Sequence, residues 1–200
     1  MGSSTARPPG PVFVITGPSG AGKGTLIREL LAHAPELETT ISMTTRPRRR
    51  GERDGREYHF ASDREFSQLV ADGGFLEWVE YVSGHRYGTP RSELERIAAD
   101  GRVPVLELET EGAMRVKRDV PGAVTVFISA PVAELERRLR ERATESGGEI
   151  EERLAVAREQ LTLEHGFDHV IVNDNLHRAV DELETIVNRE LRAAGSMAGP

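Results

Sequence analysis

The chain contains no cysteine, which excludes a disulfide scaffold and any cysteine-ligated metal centre. No apolar run approaches the roughly 18 residues needed to span a bilayer. The opening stretch MGSSTARPPGP is polar and proline-rich rather than signal-like, so a cytoplasmic protein without a membrane partner is expected. An excess of basic charge is missing too: 26 Lys and Arg against 33 Asp and Glu leave a net charge of −7, which argues against a nucleic-acid partner. There is no internal repeat. Low complexity is confined to the ends, and residues 1–10 and 194–200 are expected as disordered tails. With 200 residues, 38% of them hydrophobic, the chain has material for one core, which predicts a single domain over 11–193. No obligate protein partner is expected.

The most informative stretch that is present follows the apolar run Val12-Phe13-Val14-Ile15-Thr16. It reads Gly17-Pro18-Ser19-Gly20-Ala21-Gly22-Lys23-Gly24-Thr25 and leads into the amphipathic segment Leu26-Ile27 and Leu30-Leu31. A buried strand entering a turn whose glycines allow φ > 0, followed by a helix N-terminus, forms a cradle of backbone N–H groups for polyphosphate oxygens. Lys23 adds a point charge between the terminal phosphates. The residue after Lys23 is Gly24, so the hydroxyl that usually helps hold Mg²⁺ is displaced to Thr25.

Apolar runs at 12–16, 103–108, 123–129 and 169–172 lack the alternation of half-exposed strands and read as fully buried ones. Helical patterns fall at about 23–33, 111–118, 132–145, 150–165 and 176–193. This predicts an α/β fold with a parallel-sheet P-loop core covered by helices on both faces. Between 38 and 100 the pattern changes to short strands, Gly-rich turns and a helix opened by the capping box Ser62-Asp63-Arg64-Glu65, as for an insertion with its own task. Two groups of arginines stand out in this acidic chain: Arg46, Arg48, Arg49, Arg50, Arg53 and Arg56, and later Arg137, Arg138, Arg140 and Arg142. Each is a local place suited to anions.

The inserted segment carries Ser42-Met43-Thr44-Thr45-Arg46-Pro47-Arg48-Arg49-Arg50-Gly51-Glu52, then Gly55-Arg56-Glu57-Tyr58, Phe75-Leu76-Glu77 and Tyr87-Gly88-Thr89. In this order, with the loop before them, these motifs make the chain resemble the guanylate kinase family from about Val12 to Leu191. The resemblance implies that Arg46, Arg49, Tyr58 and Tyr87 hold the phosphate of GMP, and that Ser42, Glu77, Thr89 and Glu109 surround its base. Elementary chemistry agrees. A phosphomonoester dianion suits guanidinium forks and hydroxyl donors. Guanine offers a ring N–H and an exocyclic amine side by side to a carboxylate, whereas adenine would leave Glu77 unpaired. A polar face of an exposed strand is the plainer reading of Glu77. A solvated basic run is the plainer reading of the arginines, and is expected for Arg48, Arg50 and Arg53.

The segment Leu106-Glu107-Leu108-Glu109-Thr110-Glu111-Gly112 ends a buried strand, where ligands sit in such sheets. Family members carry aspartates at the first two acidic positions. By resemblance Glu107 orients waters of a hydrated Mg²⁺ and Glu109 contacts the base, while Glu111 is suited to the following helix N-terminus. Arg138, Arg142 and Arg153 match the family's lid arginines in a lid over about 138–157, with Ala143 where a glycine is usual. The insertion that holds GMP is taken as about 42–100. Asn173-Asp174-Asn175 resembles a turn near the adenosine of ATP, and equally reads as a turn that starts a helix. Arg137 and Arg140 are expected on a solvated face paired with glutamates. The six histidines are expected to be structural or exposed.

The expected activity is Mg²⁺-dependent transfer of the ATP γ-phosphoryl group to GMP or dGMP, with Lys23, Arg46, Arg138, Arg142 and Arg153 neutralising charge. Two rivals are a P-loop kinase of another nucleotide or sugar phosphate, and a guanylate-kinase-like binding module without catalysis.

Overall fold

A computed structural model describes residues 10–81, 84–142 and 147–197. Strands β1 (Val12–Thr16), β2 (Leu37–Thr39), β7 (Val103–Glu107), β8 (Ala123–Ser129) and β9 (His169–Val172) form one sheet in the order β2-β7-β1-β8-β9, every pair parallel. β1 lies at its centre with all five residues buried, as its unbroken apolar run predicts. Its side chains alternate between two cores. Phe13 and Ile15 pack with Leu26 and Leu30 of α1 (Lys23–His33) and Leu183 of α7 (Leu176–Met197). Val12 and Val14 pack on the opposite face with Leu94 of α3 (Arg91–Ala99) and with Ala113 and Val116 of α4 (Thr110–Asp119). Helices therefore cover both faces.

A second sheet, in the order β4-β3-β6-β5, comprises β3 (Met43–Thr44), β4 (His59–Phe60), β5 (Phe75–Glu80) and β6 (Arg86–Pro90). α2 (Asp63–Ala71) packs against it: Phe66 stacks on Phe75 at 4.5 Å, and the Arg86 guanidinium lies 4.7 Å from the other residue of that contact, the Phe66 ring. The capping box at the start of α2 is present, with Ser62 and Glu65 each bonding the other's backbone. Two further helices, α5 (Val132–Arg142) and α6 (Gly147–Leu161), share a small core of Leu139, Ile150 and Leu154.

Several details differ from the sequence expectations. Leu37–Thr39 is an edge strand of the main sheet, and its single buried residue, Leu37, leaves no apolar run to detect. α3, also not expected, packs on the main sheet rather than belonging to the second. α6 stops at Leu161 and a single 3₁₀ turn, Glu164–Gly166, follows it. α7 continues through residues 194–197, in place of the start of the expected C-terminal tail. Residues 1–9 and 198–200, expected as tails, lie outside the described residues, as does the turn from Ala143 to Ser146.

Candidate active site

β1 runs directly into the glycine-rich loop, and two of its glycines could not be anything larger. Gly17 has φ 136°, and a Cβ there would sit 2.1 Å from the carbonyl oxygen of Ile128 on β8. Gly22 has φ 91° at the head of α1, where a Cβ would meet the Asn173 amide nitrogen at 2.5 Å. Lys23 folds back over the turn and donates to the carbonyls of Gly17 (2.8 Å) and Pro18 (3.3 Å). The ammonium thus lies above the cradle, at the N-terminus of a helix whose dipole favours anions.

The loop is braced from behind by residues far away in sequence. Asn173, at the end of β9, donates from its buried amide to the Ala21 carbonyl at 2.7 Å. Arg138 of α5 donates to the carbonyls of Gly20 (3.3 Å), Ala21 (3.4 Å) and Asn173 (3.0 Å), while its Nε bonds Glu134 at 2.7 Å. Asn173 Oδ1 is buried without a hydrogen-bond partner among the described residues. The helix-opening role of this turn belongs to Asn175, whose side chain accepts from the Arg178 N–H. Arg153 of α6 donates to the Ser19 hydroxyl at 2.7 Å. Arg142 ends α5, and its side chain lies outside the described residues.

Two cavities open at the carboxyl ends of the central strands. The smaller, about 430 Å³, is lined by Ser19, Gly20, Gly22, Lys23, Gly24, Thr25, Arg28 and Glu107. The larger, about 870 Å³, lies between the main sheet, the second sheet and α6, and Ser42, Tyr58, Glu77, Tyr87 and Glu109 line it. Lys23 and Glu107 belong to both walls. Glu107 opens onto the cavities yet is crowded by protein. Burial pushes its carboxyl above the ordinary range, Lys23 opposes that, and Glu109 adds to it.

Glu77 lies deep in the larger cavity. It sits on β5 opposite Thr89 on β6, and both are buried. The Thr89 hydroxyl donates to Glu77 Oε1 at 2.8 Å. Burial raises the Glu77 carboxyl above its ordinary value, while Thr89 and the charge of Arg115 pull it back. A buried carboxylate with one oxygen satisfied and the other facing a cavity is arranged to receive donors.

Arg46 is buried but does not line the cavity. It grips Glu52 through both nitrogens at 3.0 and 2.8 Å, and its guanidinium lies 5.4 Å from the Tyr58 ring and 5.7 Å from the Phe60 ring. The Glu52 bond, aided by Tyr87, raises the Arg46 pKa further. Tyr58, Tyr81 and Tyr87 meet edge to face with centroids 5.9 and 5.0 Å apart, and burial holds Tyr81 up at about 12. Arg49 is exposed; its backbone N–H bonds Glu52 at 2.7 Å.

Sequence reasoning did not single out two arginines here. Arg28 lines the smaller cavity one helical turn beyond Gly24, a spacing that was available as a signal. Arg115 lines the larger cavity and donates to the Trp78 carbonyl at 3.2 Å, and no motif pointed to it.

Comparisons with known proteins point to one family. A family model described as guanylate kinase matches residues 10–190. A guanylate kinase of Prochlorococcus marinus (strain MIT 9313) is 48% identical over 188 residues, 94% of this chain and 98% of that protein. One of Synechococcus sp. (strain CC9902) is 49% identical over 177 residues, covering 88% and 94%. The crystal structure of guanylate kinase from Anaplasma phagocytophilum superposes with a TM-score of 0.71 at 29% identity, covering 92% of this chain and 88% of that one.

Proposed function

The chain belongs to the guanylate kinase family and is an ATP:GMP phosphotransferase, and from that premise we propose how its own residues divide the work. The smaller cavity takes the ATP phosphates on the loop Gly17–Thr25, with Asn173 and Arg138 fixing its backbone. The larger takes GMP or dGMP, its base against Glu77, Thr89, Ser42 and Glu109, its phosphate toward Tyr58, Tyr87, Arg46 and Arg49. The observation that carries this division is the shared wall: Lys23 and Glu107 alone among the described residues border both cavities, which is where a phosphoryl group in transit must lie.

In-line transfer needs no covalent nucleophile, because an acceptor phosphate oxygen attacks the γ-phosphorus directly. Lys23, Arg142 and Arg153 neutralise charge that grows on the transferred oxygens, Arg138 contributes by holding the loop through its carbonyls, and positioning of the two substrates supplies most of the rest. The second sheet with α2, which is the part of segment 42–100 not packed on the main sheet, and the segment 138–157 close over the nucleotides and exclude water. The contact between Arg153 and Ser19 and the small core of Leu139, Ile150 and Leu154 support a lid built on α5 and α6, which Leu135 and Ala157 anchor to the main core at its base.

The family needs a divalent metal, and we assign Mg²⁺. The residues present fit it. Glu107 offers one carboxylate at the junction and Thr25 a hydroxyl beside the loop, and among the described residues no cluster of three or more metal-binding side chains exists. Mg²⁺ suits so sparse a set because it keeps waters and leans on substrate phosphates. Held there through its waters by Glu107 and Thr25, it would supply neutralisation of the phosphate charge. In this reading the protein serves cytoplasmic purine nucleotide metabolism, acting on small molecules without nucleic acid, membrane or obligate protein partners.

The test is a coupled assay of ADP release across GMP, dGMP, AMP, CMP and UMP. Turnover confined to GMP and dGMP supports the assignment of the base site. Comparable rates with AMP would overturn it.

A further inference from the structure

Gly112 lies within α4, where alanine would be preferred to glycine by about 1 kcal/mol. Its surroundings give a reason for that cost. A Cβ at Gly112 would stand 2.9 Å from Glu77 Oε2, 3.4 Å from its Cδ and 3.5 Å from its Cγ. Glu77 can retreat only by giving up the position in which Oε1 accepts from Thr89 at 2.8 Å, a pairing that the β5 to β6 register sets up. Arg115, one turn further along α4, donates to the Trp78 carbonyl and ties this helix face to β5.

We propose that Gly112 is a positioning residue for the acceptor base: bare backbone at this point lets Glu77 keep Oε1 on Thr89 while Oε2 stays free for the paired N–H donors of a guanine ring. This rests on the reading of Glu77 as the guanine acceptor. A methyl group at Gly112 presses on the far end of a side chain rather than on backbone, so it displaces the carboxylate without opening the fold. Recognition and stability therefore change in opposite directions. A merely structural glycine would change them together.

The experiment measures kcat and KM for GMP and ATP, and Tm, in Gly112→Ala, Glu77→Asp, the double variant and Glu77→Gln. Gly112→Ala is expected to lower kcat/KM for GMP by roughly tenfold or more, the scale set by misplacing a binding group. The KM for ATP should stay within about twofold and Tm should not fall, since alanine favours the helix. In the Glu77→Asp background, where the carboxylate is one methylene shorter, adding Gly112→Ala should cost less than about threefold, because the two sites couple. The proposal is overturned if Gly112→Ala loses the same factor in both backgrounds, if it leaves GMP kinetics unchanged, or if GMP and ATP affinity fall together with Tm. Unchanged GMP kinetics in Glu77→Gln would instead remove the base assignment itself, and this proposal with it.

Discussion

The two cavities that meet at Lys23 and Glu107 are built from different material. The smaller is walled by backbone and small residues of one contiguous segment, with Arg28 and Glu107 as its only longer additions beyond Lys23. The larger gathers side chains from both sheets, α4 and α6. Phosphates are the same in every nucleoside triphosphate, so a main-chain cradle suffices for them. A base must be told from other bases, which needs a carboxylate in a defined place and therefore several elements to place it. Binding in the first cavity should be sensitive to backbone geometry, and binding in the second to side-chain chemistry.

The sharpest way to break this contrast is Lys23→Ala. It should lower kcat by roughly 10³-fold, as when a charge-stabilising donor is lost, while the GMP Kd by calorimetry stays within about threefold. An equal loss of GMP affinity would mean that the two cavities are not separate sites. Gly17→Ala tests the backbone half. A methyl group 2.1 Å from the Ile128 carbonyl oxygen cannot be accommodated in place, and a loss of stability of about 3 kcal/mol, the upper range for overpacking, is expected in urea titration, with weakened ATP binding. Glu77→Gln tests the other half. It should cost about 1–3 kcal/mol in kcat/KM for GMP, since an amide cannot accept from both guanine donors, and should leave the KM for ATP unchanged.

A smaller effect concerns stability against pH. Burial raises Glu77 above its ordinary 4.5 in the folded protein. The folded chain then binds a proton more readily than the unfolded one, so stability falls as pH rises from 4.5 through the raised pKa. Glu77→Gln removes that cost. Its Tm should exceed the parent's at neutral pH, and the gain should vanish near about pH 4. A gain independent of pH would show that ionisation at Glu77 is not its source.

How much of this was legible in the sequence follows the same division. The central strands stood out because burial on both faces calls for a nearly continuous apolar run, as in β1, and in β8, where the buried Thr125 is satisfied by Asp168. The loop stood out because its phosphate-binding chemistry is contiguous. β3 and β4 are each two residues long, too short for any periodicity. α3 was hidden by its own sequence: Glu93 is buried in its first turn, where it is satisfied by Arg96, His59 and the Ile41 N–H. Nor can a run of arginines tell which one folds inward. Arg46 does so because the hydroxyl of Thr44 takes its N–H at 3.1 Å and Glu52 takes its side chain, while Arg48, Arg49 and Arg50 stay exposed. The pairing of Arg137 with Glu134 and Glu141, and of Arg140 with Glu136, was readable because helical spacing alone determines it.

The bond from Asn173 to Ala21 joins residues 152 positions apart. It has a consequence for the order in which the protein becomes competent during synthesis. A growing chain presents the complete loop early, yet the amide that holds the loop's carbonyl arrives only with the last strand, and the arginine beside it must already have folded onto that strand. Nucleotide therefore has no finished cradle to bind, and no partly made chain to stabilise, until β9 docks at the sheet edge. The last strand of the sheet thus completes the cradle made by the first, and affinity for ATP is expected to depend on β9 being in place.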